Sequence, residues 1–175
     1  TRSDTWTNRP HYRAAIKIKS DFGQAYYKLG VCLYRTGRLQ EALQAFETVV
    51  DLKSQSHAMA AYFVGLIRFF LGQDDHAATA FGVLKADSPD SKIANLYLAQ
   101  IHIKRKEFDS ALPLLEDLAS VTPDFAEVHY MLGTVHFGLH NNDAAIRCFR
   151  RALELNPEDE RSKTKVTLLT DVQWP

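Results

Sequence analysis

The sequence predicts an all-α chain, a solenoid of helical hairpins with about ten helices in 175 residues. Three observations point there. A small residue behind an apolar one recurs in Leu29-Gly30, Val64-Gly65, Leu98-Ala99 and Leu132-Gly133, at spacings of 35, 34 and 34. Twelve residues after each small residue stands an alanine (Ala42, Ala77, Ala111, Ala145), and four further on a large apolar residue (Phe46, Phe81, Leu115, Phe149). Eight residues beyond that, three of the four segments reach a proline, Pro89, Pro123 and Pro157, where the first has Ser54. A fixed period of this size marks one supersecondary unit stacked on copies of itself.

The elements follow in order. Tyr12 to Ile18 aligns with Phe149 to Leu155, so the chain opens on the second helix of a unit whose first helix is missing. Half a unit at the start is what a piece cut from a longer array would show. Pro10 then matches Pro113, both near the start of a second helix, where proline does least harm. In the first full unit, Tyr26, Leu29, Gly30 and Leu33 keep the three-and-four spacing of a helix over 21–36. Thr36-Gly37 breaks it, since glycine accepts the left-handed helix-ending geometry. A second helix runs from about Leu39 to Leu52 with Leu39, Ala42, Leu43, Phe46 and Val49 on one face. Later units copy this, with breaks at Leu71-Gly72, Arg105-Lys106 and His140-Asn141. Proline after each later second helix separates the units, because it lacks an amide hydrogen and disfavours a helical predecessor. The small residues are expected where the two helices approach closely, with the phenylalanines filling the gap between units. The four units fall at 23–57, 58–91, 92–125 and 126–159, preceded by a segment over 1–22. Residues 160–175 form a capping helix and tail: Arg161, Lys163 and Lys165 give it a polar outer face, and 171–175 is expected to fray.

Composition narrows the function classes. Lys+Arg and Asp+Glu both total 21, so the formal net charge is zero and nothing draws the chain to nucleic acid or an anionic membrane. No apolar run approaches the ~20 residues that span a bilayer, so no membrane insertion is expected. Cys32 and Cys148 fall in the first and fourth units and read as small core residues, which fits a reducing compartment.

Seven histidines invite a metal reading, with His136 and His140 four apart and His102 in register with His136. A zinc site needs three or four ligands with supporting partners. His102 and His136 are better explained as imidazoles packed where an aromatic ring belongs. No catalytic motif stands out: His-Glu-x-x-His, a Walker-type Gly-Lys and Gly-x-Ser-x-Gly are all missing. The carboxylate pairs Asp74/Asp75 and Asp159/Glu160 sit at turns and helix starts, where they complement helix dipoles. The expectation is a non-enzymatic chain with no metal and no cofactor.

These residues resemble the tetratricopeptide repeat family, whose 34-residue unit carries a large residue, Leu-Gly, a tyrosine-like residue, Ala, Phe, Ala and Pro at set offsets. The fourth unit shows Leu132, Gly133, Ala145, Phe149, Ala152 and Pro157; the third is loosest, with Ala99 and Leu115. The resemblance implies a right-handed superhelix in which first helices line a concave groove. Groove-facing offsets 2, 5, 9, 12 and 13 read Gln24, Tyr27, Val31, Tyr34 and Arg35 in the first unit, and Met59, Tyr62, Leu66, Phe69 and Phe70 in the second. The third gives Ile93, Leu96, Gln100, Ile103 and Lys104, and the fourth Glu127, Tyr130, Thr134, Phe137 and Gly138. Aromatics at offsets 5 and 12 are common in the family and often structural. Val31, Met59, Leu66, Phe70 and Ile93 are apolar where polar residues would serve the stack equally, and such a patch marks a binding surface. The function expected is a protein-interaction scaffold or adaptor holding an apolar or amphipathic peptide segment. The family's chaperone-tail clamp is absent: Tyr27, Val31, Phe63, Ile93 and Tyr97 replace its Lys, Asn and Arg. So is the asparagine ladder of the sugar-transferase type, whose position holds Lys28, Phe63, Tyr97 and Met131.

Three other readings stay open. The half-unit could self-associate through an apolar edge at Tyr12, Ile16 and Ile18. A related two-helix repeat reads RNA bases, though neutral charge and the Gly/Ala/Phe/Pro pattern argue against it. The chain could also be the interaction arm of a larger enzyme.

Overall fold

The computed structural model describes residues 9–19 and 21–171. Residues 1–8 of the expected N-terminal segment and 172–175 of the expected tail lie outside the described residues. The described residues form α1 (Arg9–Ile18), α2 (Gly23–Arg35), α3 (Leu39–Asp51), α4 (His57–Phe70), α5 (Asp74–Asp87), α6 (Lys92–Lys104), α7 (Phe108–Val121), α8 (Ala126–Gly138), α9 (Asn142–Leu155) and α10 (Glu160–Asp171). None of them is in a strand. The chain divides into two compact units, Thr1–Pro89 and Asp90–Pro175.

In the first unit α1 packs on α2, α2 pairs with α3, α3 meets α4, and α4 pairs with α5. Its core gathers Leu33, Leu43, Phe46, Val49, Val64 and Ile67, with Tyr12 and Ile16 of α1 packed against it. Of the expected apolar edge, then, only Ile18 stands free, at 88% exposure. In the second unit α6 pairs with α7 and α8 with α9, while α10 closes on α9. Leu115, Leu118, Val128, Leu132 and Val135 form one core cluster; Ala145, Phe149 and Leu169 form another.

The turns between paired helices share one backbone solution. Gly37, Gly72, Lys106 and His140 all take positive φ (74°, 72°, 60° and 59°). The next amide in each case reaches back five residues, Arg38 to the Leu33 carbonyl, Gln73 to Arg68, Glu107 to His102 and Asn141 to His136. This is the Schellman closure, which satisfies carbonyls the helix end leaves orphaned. Glycine enters that geometry freely, whereas a side chain with a Cβ strains in it by roughly 1–2 kcal/mol. Lys106→Gly and His140→Gly should therefore each raise stability by about 0.5–1 kcal/mol, after the entropy glycine adds to the unfolded chain. Thermal melts of the two variants check this; an unchanged or lowered midpoint contradicts it.

Between hairpins, Ser88, Thr122 and Asn156 leave the helical region (φ −133°, −138° and −138°), each one residue before proline. The first hairpin lacks the proline and exits differently: Leu52 stays helical and Lys53 turns left-handed at φ 46°. Pro10 is the second residue of α1, as expected of a helix start. Pro113 is the sixth residue of α7, a full turn further in than the expected position.

The small residues have a measurable reason. A Cβ added at Gly30 would lie 2.7 Å from the Phe46 ring, at Gly65 2.8 Å from Phe81, and at Gly133 2.6 Å from Phe149. Each phenylalanine thus fills the space its own hairpin's glycine leaves, a second role beside the expected filling of the gap between units. Phe46 does both, because its ring also stacks on Phe63 of α4 at 4.7 Å and 5°. In the loosest hairpin Ala99 and Leu115, both fully buried, exchange volume: one methyl more on the first helix, a smaller side chain on the second.

Candidate functional site

The first-helix face of the first unit is set by α2 and α4. On α4, Met59, Tyr62, Leu66, Phe69 and Phe70 recur at spacings that keep one stripe of a helix. Met59 is 51% exposed and Phe70 73%, with the Phe69 and Phe70 rings edge-on at 5.8 Å. Leu66 differs from the expected lining residue: it is buried, at 8% exposure, and offers almost no surface to a ligand. Tyr27 and Val31 of α2 are half-buried against the core. The Tyr27 ring lies 5.9 Å from Phe46 and 6.4 Å from Phe63, and burial pushes its phenol pKa up. Met59 and Phe70 are therefore the accessible anchors of this face, and Tyr27 holds the hairpins together beneath it.

In the second unit the expected positions converge on a real cleft. Gln100, Ile103 and Lys104 of α6 face Glu127, Tyr130, Met131 and Thr134 of α8 across about 370 Å³. Six of these seven stand at groove-facing offsets of the repeat; Met131 alone does not. Ile93, at 46% exposure, and Leu96, packed against the core cluster, lie on α6 outside that lining. Gly138, also at a groove-facing offset, is instead covered by the ring of Phe108, leaving no room for a Cβ.

Helix α10 contributes more than a polar outer face. Arg161 donates from Nη2 to Glu127 Oε2 at 2.7 Å and from Nε to Asp159 Oδ1 at 2.8 Å. Its guanidinium carbon sits 4.2 Å from the Tyr130 ring centroid, and Lys165 Nζ sits 5.0 Å from that of Phe137. So α10 lays two cations over the aromatic residues of the preceding hairpin, while about half of the Arg161 side chain stays in solvent. Hydrogen bonds to Glu127 and then Asp159 push the guanidinium pKa further above its usual range. At Asp159 burial pushes the carboxyl pKa up, but hydrogen bonds from Arg161 and Ser162 outweigh it and hold the pKa below the usual range. A partly exposed cation–π contact of this kind contributes about 0.5–1 kcal/mol, enough to position a side chain. Glu127 and Arg161 are 34 residues apart, the repeat period itself, so opposite charges one period apart were the signal for this contact.

The histidines divide by environment. The His102 ring is three-quarters buried, and its Nδ1 is hydrogen-bonded to Glu107 Oε2 at 2.6 Å. His136 Nδ1 is buried without a hydrogen-bond partner, and His140 is exposed at its turn. Among the described residues no group of three or more His, Cys, Asp or Glu could hold a metal ion, neither cysteine forms a disulfide, and no helix is long and apolar enough to cross a membrane.

Three sequence-family models, each described as tetratricopeptide repeat, match residues 9–57, 72–135 and 126–159. The chain is 26% identical over 151 residues to anaphase-promoting complex subunit 3 of Schizosaccharomyces pombe, covering 85% of the chain and 22% of that protein. It is 32% identical over 84 residues to human RANBP2-like and GRIP domain-containing protein 2, covering 48% of the chain and 5% of that protein. The chain thus spans about a fifth or less of these curated relatives. Among solved structures, YrrB, described as a TPR protein with an unusual peptide-binding site, superposes with a TM-score of 0.81 at 17% identity, over 92% of this chain and 82% of that one. MamA from Desulfovibrio magneticus RS-1 gives 0.77 at 22% identity, over 85% and 84%.

Proposed function

We propose that this chain, which belongs to the tetratricopeptide repeat family, holds an apolar or amphipathic peptide segment on the first-helix faces of its hairpins. Repeats of this family mediate protein–protein interaction. The observation that carries the finer reading is the cleft between α6 and α8, where six groove-offset residues meet around one volume. Ile103, Tyr130 and Met131 give it an apolar floor, and Gln100 and Thr134 add hydrogen-bonding capacity, the mixture that orients a side chain while burying it. In the first unit Met59 and Phe70 offer exposed apolar anchors at helical spacing.

A random peptide library panned against the chain supplies the probe. Selected peptides should carry apolar anchors, and should bind Gln100→Arg/Thr134→Arg or Met59→Asp/Phe70→Asp at least about tenfold more weakly, a loss of about 1.4 kcal/mol. Met59 and Phe70 are exposed and Gln100 and Thr134 half-buried at the cleft, so both double variants should keep the parent's helical circular dichroism. Selected peptides that bind both as tightly as the parent sink the reading, as does a library that yields no binder.

A further inference from the structure

Two clefts on the opposite side of the hairpins from α2's groove residues are the same place one repeat apart. The first lies among α1, α2 and α3, the second among α3, α4 and α5. Their linings correspond at a spacing of 35: Tyr26 with Ala61, Leu33 with Arg68, Gln44 with Thr79, Thr48 with Val83. The first is about 310 Å³ and is lined by Tyr26 and by polar side chains such as Arg13, Glu41 and Gln44. The second is tighter, about 190 Å³, and has a methyl group where the first has the tyrosine. Val50, Val64, Ala80 and Val83 make its apolar walls, and Asp51, His76 and Thr79 also line it. An apolar cavity of about 150 Å³ already admits benzene, so this one is large enough for one aromatic ring.

The polar side of the second cleft is distinctive. Arg68 stands where the first hairpin has leucine. Its guanidinium donates to Glu47 Oε1 and to Gln73 Oε1, both at 2.5 Å, while Nε is buried with no acceptor. A buried donor left unpaired costs about 1–3 kcal/mol, so an oxygen brought to it is favoured. Arg68 and Glu47 both line the cleft, so a hydroxyl there meets a cation that donates beside a carboxylate that accepts.

We propose that the cleft among α3, α4 and α5 is a second binding site, which receives a tyrosine side chain from a partner polypeptide. The ring takes the apolar slot beside Ala61, the position at which the preceding hairpin carries Tyr26. The hydroxyl meets the Arg68–Glu47 pair, accepting from the guanidinium and donating to the carboxylate. This site shares no residue with the first-helix faces, so it stands or falls apart from the peptide reading above.

The test is a titration with N-acetyl-tyrosinamide, followed by the methyl NMR signals of Val50, Val64 and Val83. Saturable shifts confined to these methyls are expected, with binding at least about tenfold tighter than for N-acetyl-phenylalaninamide, the effect of one hydrogen bond to a charged group. Thr79→Trp, at an exposed position on the rim, should abolish the shifts. Arg68→Met should bring the tyrosine and phenylalanine amides to equal affinity. Circular dichroism reports whether each variant stays folded; if Arg68→Met does not, the Thr79→Trp arm and the tyrosine–phenylalanine comparison in the parent decide alone. Absent saturation, equal binding of the two amides by the parent, or shifts untouched by Thr79→Trp overturns the proposal. Binding of free p-cresol without any binding of the capped tyrosine also overturns it, because the site would then take a small phenol and not a protein side chain.

Discussion

Phe46→Ala should destabilise the chain by about 3–5 kcal/mol, the range seen when a buried aromatic is cut to a methyl. The ring has no solvent exposure, lies against Gly30 of its own hairpin and stacks on Phe63 of the next. Tyr27, at 5.9 Å, leans on the same ring. Alanine would leave three partners facing a void, and the glycine backbone on one side has no side chain with which to collapse into it. Single domains are stable by only ~5–15 kcal/mol, so this loss removes a large share of the total. Denaturant unfolding of the parent and variant measures it. A loss under about 1.5 kcal/mol would mean the void closes by relaxation and that Phe46 is not the joint between the two hairpins.

Gly133→Ala should also destabilise, although alanine is the better helix former by about 0.8–1 kcal/mol. The new Cβ would meet the Phe149 ring at 2.6 Å, and Tyr130 packs against that ring at 5.7 Å. Overpacking of this kind costs about 1–3 kcal/mol and exceeds the propensity gain when the ring cannot move. The sharper expectation is the rescue. Adding Phe149→Leu should return the protein to within about 1 kcal/mol of the parent, since contacting residues couple by up to ~3 kcal/mol. The chain already contains that solution in Ala99 and Leu115. Melts of both single variants and the double variant form the cycle. Additive losses would show that glycine and phenylalanine are not opposite sides of one contact.

The 34-residue period made much of this legible. It placed the paired helices, the left-handed turn at four equivalent positions and the extended residue before each proline, because backbone geometry repeats with the residues that permit it. It also marked the positions that meet in the α6–α8 cleft. Burial depth was less legible. Leu66 shares a stripe with Met59 and Phe70, yet one is buried and two are exposed. The offset of a residue fixes the side of the helix it occupies, not how closely a neighbour approaches there. Arg161 and Lys165 were read as part of the polar face that keeps a terminal helix soluble. Their long stems also reach over Tyr130 and Phe137, and for Arg161 the opposite charge of Glu127 at i−34 reveals it. Gly138 was misplaced for a related reason, since Phe108 reaches it from α7.

The glycine–phenylalanine and alanine–leucine pairings bear on how such a chain can change by single steps. From Gly133 and Phe149, a first step to alanine overfills the hairpin and a first step to leucine empties it. Either way an ancestor must survive a weakened intermediate before the second step restores it. The two orders are not equal: a void can shrink as neighbours settle, whereas a ring held on all sides has nowhere to go. Reversal at Ala99 and Leu115 faces the same asymmetry, because phenylalanine is barred until glycine has returned. Each pairing thus behaves as a ratchet, and the two ends of a single contact are inherited as one character.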